Sequence, residues 1–339
     1  MVIVRSATAR RAEAKESIWL RAACFFICIP SVGALLAKLY SIASMKAVAL
    51  SVAVPASAGL VGILVWAKRS RRKQLADRLA IGVVGGLLAT VAYDLIRIPF
   101  HMAGLRIFAP ISAFGVWLAD ATCSSRFTEV IGWSYHYWNG ITFGIMYALF
   151  ARNRHWGWAI MWACLLETIA ILSPFGRIFS LLGNYSAIGI AYLGHVAYGV
   201  PLGLMVYRWD ATRDYLAGIP VLVKWILVLI CCAAIVGPMV SPDWVERDST
   251  AVSGEFRVEG HRLNPDWLRI HRGEEIRVYN PEPDSVSVVV KQHKEAMEIG
   301  SGQKEVLAFH KPGIYQVYVE TGRRSRSSFV IVEPVEAPE

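Results

Sequence analysis

The sequence predicts a multi-domain protein: a polytopic α-helical membrane bundle of about seven spans, followed by a C-terminal all-β sandwich. Hydrophobic residues make up 55% of the 339 residues and charged residues 18%, against about 45–50% and about 25% in soluble domains. The mean hydropathy is +0.42. Long apolar stretches fill the chain up to about residue 240, and short alternating segments follow. This composition excludes a disordered chain, a collagen and a simple soluble enzyme.

Seven stretches have the length of about 20 largely apolar residues that a membrane helix needs. They cover residues 18–38, 45–67, 78–98, 130–150, 156–175, 186–207 and 217–240. We expect the first to be a retained anchor rather than a signal peptide, because Arg21 interrupts it and no small-residue cleavage site follows. The expected domains are a basic N-terminus at 1–17, the spans at 18–240, a linker at 241–251, the sandwich at 252–333 and a tail at 334–339.

The basic residues predict the orientation of these spans. Residues 1–240 carry 22 basic and 9 acidic side chains, whereas residues 241–339 carry 13 and 17. Fourteen of these 22 basic side chains lie in the N-terminus and in the loops expected on its side of the membrane. Five lie in the loops expected on the opposite side. The positive-inside rule therefore predicts a multi-pass protein of the cytoplasmic membrane, with a cytoplasmic N-terminus and an extracytoplasmic, periplasmic C-terminal domain. The net charge of +9 is then explained by the membrane topology rather than by nucleic-acid binding.

Two smaller features belong to the membrane part. The predicted outer loop between Pro99 and Glu129 contains ISAFGVWLAD, for which we expect a short helix lying on the membrane surface. Cys24 and Cys28 are four residues apart in the first span, and no second cysteine pair with metal-ligand spacing accompanies them. Cysteines of this kind are typically small apolar residues of a helix rather than metal ligands.

Two predicted spans share the pattern H-x3-G-x3-G, as HYWNGITFGIMY and HVAYGVPLGLMVY. Spacings of four place each histidine and its glycines on one helix face, where the lack of side chains permits close approach of another helix or a flat ligand. A third small-x3-small pair lies in the third span without a histidine. The residues are His136, Gly140 and Gly144; His195, Gly199 and Gly203; and Gly82 and Gly86.

The two histidines support two hypotheses. Both helices are predicted to run in the same direction, so His136 and His195 lie at similar depth and could ligate a b-type haem or another metal centre. Alternatively, each imidazole forms a hydrogen bond to a neighbouring helix, and the glycines serve packing alone. No cofactor is needed by the second hypothesis.

Ionisable residues at membrane depth are the strongest functional indication, because hydrocarbon penalises charge. Asp94 and Arg97 are three residues apart in the third span and can pair with each other on one face. Glu167 lies deep in the fifth span without a local partner. With the two histidines, these groups predict an ion or proton path or a polar ligand pocket. Alternatively, they form a structural clamp in which Glu167 pairs with His136 or His195.

From about residue 250, apolar and polar residues alternate in short segments such as EIRVY and VSVVV. The turn-forming sequences LNPD, HRGEE, NPEPD, IGSGQ and HKPG separate these segments. Short alternating strands at 8–12-residue spacing are typical of a β-sandwich or barrel. The 99 residues from 241 onward are sufficient for one such domain.

Residues 252–333 resemble the cupredoxin family. The resemblance rests on a strand, an NPD turn, a strand before HRGEE, the V-x-N of Val278 to Asn280, and the PG-x-Y of Pro312 to Tyr315. The family implies a sandwich that holds copper with two histidines, a cysteine and a weak axial ligand. Here Ser285, Val286 and Ser287 follow the Asn where the family has its first histidine.

The other copper positions of the family also carry residues that do not bind copper. Val319 stands where the family has its cysteine, and ETGRRSRSS replaces the segment with the second histidine and the methionine. We therefore expect no type 1 copper site and no metal in this domain. The basic run in that segment is either a docking patch for an acidic partner or lipid headgroups, or a solvated turn. It comprises Arg323, Arg324 and Arg326.

No phosphate-binding loop, zinc-protease motif, nucleophile elbow or dinucleotide fingerprint appears in a supporting context, which favours a non-enzymatic role. The first hypothesis is an accessory protein that presents a copper-free cupredoxin-like docking domain outside the membrane to a membrane or extracytoplasmic protein partner. The second is a membrane redox protein with haem b or a metal at His136 and His195. The third is a transporter that uses Asp94, Arg97 and Glu167.

Overall fold

The computed structural model describes residues 18–70, 72–103, 105–220, 254–260, 262–292, 295–320 and 327–334. The N-terminus at 1–17, the linker at 241–251 and all but the start of the predicted seventh span at 217–240 lie outside these ranges. The helices all precede the strands along the chain. The order of elements is therefore that of the predicted membrane bundle followed by a β-domain.

Nine helices lie in the described residues. The second contains a π-helical segment, Ala49–Ala53, and the fifth begins with a capping box in which Ser125 and Thr128 exchange side-chain to backbone hydrogen bonds. The helices are α1 Ile18–Leu39, α2 Met45–Arg69, α3 Lys73–Met102, α4 Ala109–Ala119, α5 Arg126–Phe150, α6 Gly157–Leu172, α7 Pro174–Ile178, α8 Tyr185–Tyr207 and α9 Trp209–Gly218.

Four of these helices, α1, α2, α3 and α8, are long and apolar enough to cross a membrane. Helices α5 and α6 coincide with two further predicted spans, but they are not among the four, and α6 has only 16 residues. Large apolar side chains are exposed on the outer surfaces of the helices, as expected of lipid-facing surfaces. The helical part therefore has four candidate spans in the described residues, and the count of seven is not confirmed.

Helix α3 is the central helix of the bundle and packs against both α5 and α8. Helix α4 forms where ISAFGVWLAD predicted a short helix, but it does not lie exposed on a surface. Its residues Phe114, Val116 and Trp117 are buried, and Gly115 allows close approach of the α5 backbone at Thr128 and Gly132. The mostly apolar sequence of α4 thus reflects burial against protein.

Nine strands form two sheets that share one apolar core. The four-stranded sheet has the order β2-β1-β4-β7 and the five-stranded sheet β3-β9-β8-β5-β6, with parallel pairs β1–β4 and β3–β9 and all others antiparallel. The strands are β1 Glu255–Glu259, β2 Arg262–Asn264, β3 Trp267–His271, β4 Glu275–Tyr279, β5 Val286–Val290, β6 Glu295–Ile299, β7 Lys304–Ala308, β8 Gly313–Glu320 and β9 Ser328–Glu333.

The alternation read from the sequence matches the observed burial in the four-stranded sheet. In β1 and β4 the apolar residues Phe256, Val258, Ile276 and Val278 face the core and are fully buried. Strand β9 differs, because its residues from Val330 to Glu333 are buried in succession. A strand without alternation is covered on both faces, and the second face of β9 contacts the helical part.

Candidate functional site

The predicted intramembrane histidines and carboxylates form two pairs between helices. His136 on α5 lies with its Nε2 3.0 Å from Oδ1 of Asp94 on α3. His195 on α8 lies with its Nδ1 3.4 Å from Oε2 of Glu167 on α6, and 2.9 Å from the carbonyl oxygen of Ala191. Each pair connects two neighbouring helices, as the clamp hypothesis expects, and the partner of Glu167 is His195.

Arg97 does not pair with Asp94, in contrast to the prediction from their spacing. Its Nη2 donates a hydrogen bond to the carbonyl of Ile107, and its guanidinium lies 4.5 Å from the ring centroid of Tyr93 and 4.9 Å from that of Phe108. Residues three apart on a helix need not point at each other. Here Asp94 bonds to α5, and Arg97 extends towards the loop after α3.

Tyr93 connects the two pairs, and sequence analysis did not single it out. Its ring centroid lies 5.7 Å from that of His136 and 4.9 Å from that of His195. We call Tyr93, Asp94, Arg97, His136, Glu167 and His195 the polar cluster. The sequence signal for Tyr93 is its place next to Asp94, one turn before Arg97.

The polar cluster is shielded from solvent. The side chains of Asp94 and Glu167 are 9% and 7% exposed, and those of the histidines are 16% and 17% exposed. In a medium of low dielectric, an isolated carboxylate is costly, whereas a carboxylate beside an imidazole and a guanidinium is compensated.

The predicted small residues serve helix packing in the described structure. A Cβ added to Gly144 on α5 would lie 2.5 Å from the Cα of Gly86 on α3, and one added to Gly82 would lie 2.5 Å from the Cα of Ile145. The backbones of α3 and α5 are therefore in direct contact. Gly140 faces Thr90 of α3 across the same contact. The glycine face of α5 is filled by protein rather than by a gap for a ligand.

The second glycine pair has the same role between α8 and α6. Cβ atoms on Gly199 and Gly203 would meet the backbones of Ile160 and Trp156. The two glycine pairs therefore bring α5 and α8 to different neighbours, α3 and α6 respectively. The haem or metal hypothesis for His136 and His195 stays a prediction, with Tyr93 lying between the two imidazoles in this arrangement.

The β-sandwich is hydrogen-bonded to the loop between α4 and α5. The Arg269 amide donates to the Thr122 carbonyl at 2.7 Å, and the Ser124 amide donates to the Trp267 carbonyl at 2.9 Å. Between them, Cys123 pairs with Leu268 in an antiparallel bridge. The loop thus extends the edge of the five-stranded sheet, which is the geometry of β-strand addition.

A charged network fixes the same contact. Arg269 bonds to Asp120 at 2.6 Å and to Glu333 at 2.9 Å, and Lys38 at the end of α1 bonds to Glu333 at 2.6 Å. The hydrogen bond from Arg269 holds the pKa of Asp120 below its ordinary value. Burial acts to raise the pKa of Glu333, but the hydrogen bonds from Arg269 and Lys38 outweigh it and leave that pKa lowered.

Apolar side chains complete the interface between the two parts. Trp267 of β3 is fully buried and stacks on Phe329 of β9 with ring centroids 4.5 Å apart. Together with Ile331 they belong to one apolar cluster with Phe114 and Trp117 of α4. We call this contact, with its charged network and edge pairing, the docking clamp. Sequence analysis missed it, although the unbroken FVIV run of β9 was its signal.

The four-stranded sheet lies on the other side of the sandwich core and keeps its outer surface exposed. Its outward side chains include Arg257 and Lys304, which both lie over the ring of Tyr279, and Val306, which is 48% exposed. Lys304 also bonds to Glu255 at 2.8 Å. We call these five residues the outer sheet face. A shallow depression of about 820 Å³ covers part of it.

The residues at the copper positions of the cupredoxin pattern do not fit a copper ion. Val319 lies in β8, pairs with Val288 of β5 and is fully buried in the apolar core, so no thiolate is available there. Ser285, Val286 and Ser287 carry no imidazole. In the part of the chain that the structure describes, no three His, Cys, Asp or Glu side chains are grouped to hold a metal ion.

The predicted basic docking patch cannot be placed. Arg323, Arg324 and Arg326 lie in the segment 321–326, which is outside the described residues. The adjoining ends, Glu320 of β8 and Ser327 before β9, are described. The patch therefore stays a sequence prediction.

No protein-family model matches the chain, and no curated protein matches it. The chain is similar over part of its length to solved cupredoxin structures. An amicyanin from Paracoccus versutus is 19% identical with a TM-score of 0.22, and the match covers 25% of this chain and 88% of that one. A purple cupredoxin from Nitrosopumilus maritimus is 16% identical with a TM-score of 0.20, and the match covers 24% of this chain and 99% of that one.

Proposed function

We propose that this protein is a non-enzymatic membrane accessory protein. Its copper-free cupredoxin-like domain stands on the extracytoplasmic side of the cytoplasmic membrane and binds a membrane or extracytoplasmic protein partner. The observation that carries the proposal is the docking clamp. It covers the β3–β9 edge of the five-stranded sheet with the ends of the helices and leaves the outer sheet face available for a partner.

Two further features support this function. The copper positions carry Val319 and serines, so the domain offers binding surface rather than electron transfer. The basic segments 68–70, 72–73, 152–154 and 208–213 lie at the helix ends opposite to Lys38 and Asp120, which contact the sandwich. The positive-inside rule then assigns the sandwich to the outside.

Site-specific photo-cross-linking in native membranes tests the docking function. A photoreactive residue is placed at Arg257 or Val306 on the outer sheet face, and at Lys291, an exposed turn residue between β5 and β6, as the matched control. A docking domain gives a discrete adduct at the first two positions and not at the third. The charge-reversing substitution Lys304→Glu should then weaken the adduct at Arg257.

The result that would overturn the docking function is equally specific. No adduct at Arg257 and Val306, or the same adducts from Lys291, would mean that the outer sheet face has no preferred partner. The purified variants should keep the elution volume of the wild type, since these side chains are exposed and do not contribute to the apolar core.

A second candidate function, proton or ion movement through the membrane part, is favoured by the polar cluster. Asp94, His136, Glu167 and His195 lie in neighbouring helices around Tyr93, so one cluster offers two exchangeable protons at membrane depth. Proton flux into proteoliposomes should fall at least tenfold in Glu167→Gln. The control Asp77→Asn removes a carboxylate near the other end of α3. Equal proton flux in wild type and Glu167→Gln would exclude this function.

A further inference from the structure

The β-sandwich has one side, formed by the edge strands β6 and β7, that no other strand of the described residues covers. The opposite side is formed by β2 and β3 and is covered. The loop at Cys123 extends the five-stranded sheet beyond β3, and the Ser328 hydroxyl of β9 donates a hydrogen bond to the Leu263 carbonyl of β2. Because β2 and β3 end the two sheets on one side, β6 and β7 end them on the other.

Strand β7 directs every second pair of backbone groups away from the sandwich. The Arg277 amide of β4 donates to the Gly254 carbonyl beside β1, and the Asn280 amide donates to the Gln303 carbonyl before β7. These two bonds fix which residues of the antiparallel β4–β7 pair face each other's backbone. The alternate residues of β7, centred on Val306, therefore direct their N–H and C=O groups to the open edge.

The usual protection of an exposed edge strand is weak in β7. Edge strands are commonly protected by proline, by bulges or by charged side chains, lysine above all. Strand β7 contains no proline, and Lys304 turns inward over the ring of Tyr279 to bond to Glu255 of β1. Val306 is 48% exposed, and no other large apolar side chain in the described part of the sandwich is exposed. The edge is therefore accessible to another strand.

A second copy of β7 matches this edge in the register of full overlap. When all five residues pair antiparallel, Val306 lies opposite the second copy's Val306, and Lys304 lies opposite Ala308. Glu305 then lies opposite Leu307, so no like charges face each other. The next registers in one direction place Glu305 opposite Glu305 and then Lys304 opposite Lys304, which is unfavourable. Shifts in the other direction shorten the pair.

The orientation of the sandwich on the membrane part permits the same pairing. Two copies in one bilayer have the same orientation, so a closed dimer needs its two-fold axis along the membrane normal. The two-fold axis of an antiparallel strand pair is perpendicular to its sheet. The outer side of β3 and β9 lies on the ends of the helices, where Ile331 packs with α4 and Glu333 bonds to Lys38 of α1. The perpendicular to the sheets therefore runs along the membrane normal.

We propose that the β7 edge binds β7 of a second copy of this chain. The two four-stranded sheets then form one continuous sheet across the dimer. Confinement of both copies to the bilayer raises their effective concentration, which compensates for the small area of a short edge. The pairing uses the backbone edge of β7, whereas the docking function proposed above uses the outer sheet face, so each can hold without the other.

Photo-cross-linking in native membranes tests this pairing with the full-length chain in two differently tagged forms. A photoreactive residue at Val306 should give an adduct of twice the mass of the chain that carries both tags. The same residue at Arg262, which is exposed on β2 at the opposite side of the sandwich, should give no such adduct. An adduct with a different protein at Arg257 would instead concern the docking function.

Charge exchange at Val306 tests the register. Val306→Lys or Val306→Glu in both copies places like charges opposite each other and should weaken dimerisation about tenfold. Förster transfer between donor-labelled and acceptor-labelled copies in proteoliposomes measures this loss. Mixing Val306→Lys donors with Val306→Glu acceptors should restore the transfer. The control Val306→Thr, which keeps a β-branched side chain, should stay within about twofold of the wild type.

The pairing would be overturned by any of three results. They are no adduct of doubled mass at Val306, an equal yield of that adduct from Arg262, or no recovery of transfer in the mixed sample. Val306 is exposed and lies outside the apolar core, so its variants should fold. An unchanged thermal midpoint verifies this, and the mixed sample contains both variants, so recovery there excludes misfolding as the cause of the loss.

Discussion

Arg269 of the β-sandwich bonds to Asp120 of the helical part across 2.6 Å, although the two residues are 149 positions apart. The same guanidinium also bonds to Glu333. One side chain therefore connects strand β3, strand β9 and the loop after α4. The sandwich is attached to the bundle by a specific contact, in addition to the chain that links them.

The Arg269 side chain should contribute more to this contact than Asp120 does alone, because Arg269 also bonds to Glu333. Glu333 is buried, and removal of Arg269 leaves it with Lys38 alone. Arg269→Met should therefore cost about 3 kcal/mol of interface stability, the scale for breaking a buried ion pair. Asp120 is 55% exposed, and Asp120→Asn should cost about 1 kcal/mol or less. Hydrogen exchange of the Arg269 and Ser124 amides measures both effects, and similar exchange in the two variants would contradict this ranking.

The same network should make docking sensitive to acid. The folded pKa values of Asp120 and Glu333 are lowered, whereas the unfolded values are about 3.9 and about 4.3. The stabilisation from these two carboxylates is therefore complete above their unfolded pKa values. It is lost as the pH falls through their folded pKa values. The thermal midpoints of wild type and Glu333→Gln should differ at about pH 6 and converge towards pH 3. The control Glu305→Gln changes an exposed side chain of β7. Its thermal midpoint should stay close to that of the wild type at both pH values.

The backbone contact between α3 and α5 should not tolerate a methyl group. Gly144→Ala places a Cβ 2.5 Å from the Cα of Gly86 and should destabilise the bundle by about 1–3 kcal/mol, the cost of overpacking. Gly59→Ala on α2 has open space around its Cβ and should be neutral or stabilising, because alanine favours helix. Unfolding in detergent compares the two, and equal stability would mean that the helices do not touch at Gly86.

The purified protein should show no Soret band. His136 already bonds to Asp94 through Nε2, and the glycine faces next to both histidines are filled by neighbouring helices. Visible absorption of the detergent-solubilised protein tests this expectation. A Soret band that disappears in His136→Ala but persists in His101→Ala would favour the redox hypothesis and require a rearranged polar cluster.

Part of the candidate site was predictable from residue type and spacing. Asp94, Glu167, His136 and His195 stand out in apolar stretches because charge and imidazole are costly there. Their pairing was not predictable, since it depends on which helices are neighbours. Spacing suggested Asp94 with Arg97, but Asp94 faces α5 and Arg97 reaches the Ile107 carbonyl.

The sequence by itself determined the two-part architecture, because apolar runs and strict alternation are local patterns that few other structures satisfy. It also determined the missing copper ligands, which are matters of residue identity. The tertiary structure alone decided that Tyr93 lies between the histidines and that Trp267 and Arg269 hold the sandwich on the bundle. These contacts join residues far apart in the chain, and no local preference encodes which distant surfaces will fit together.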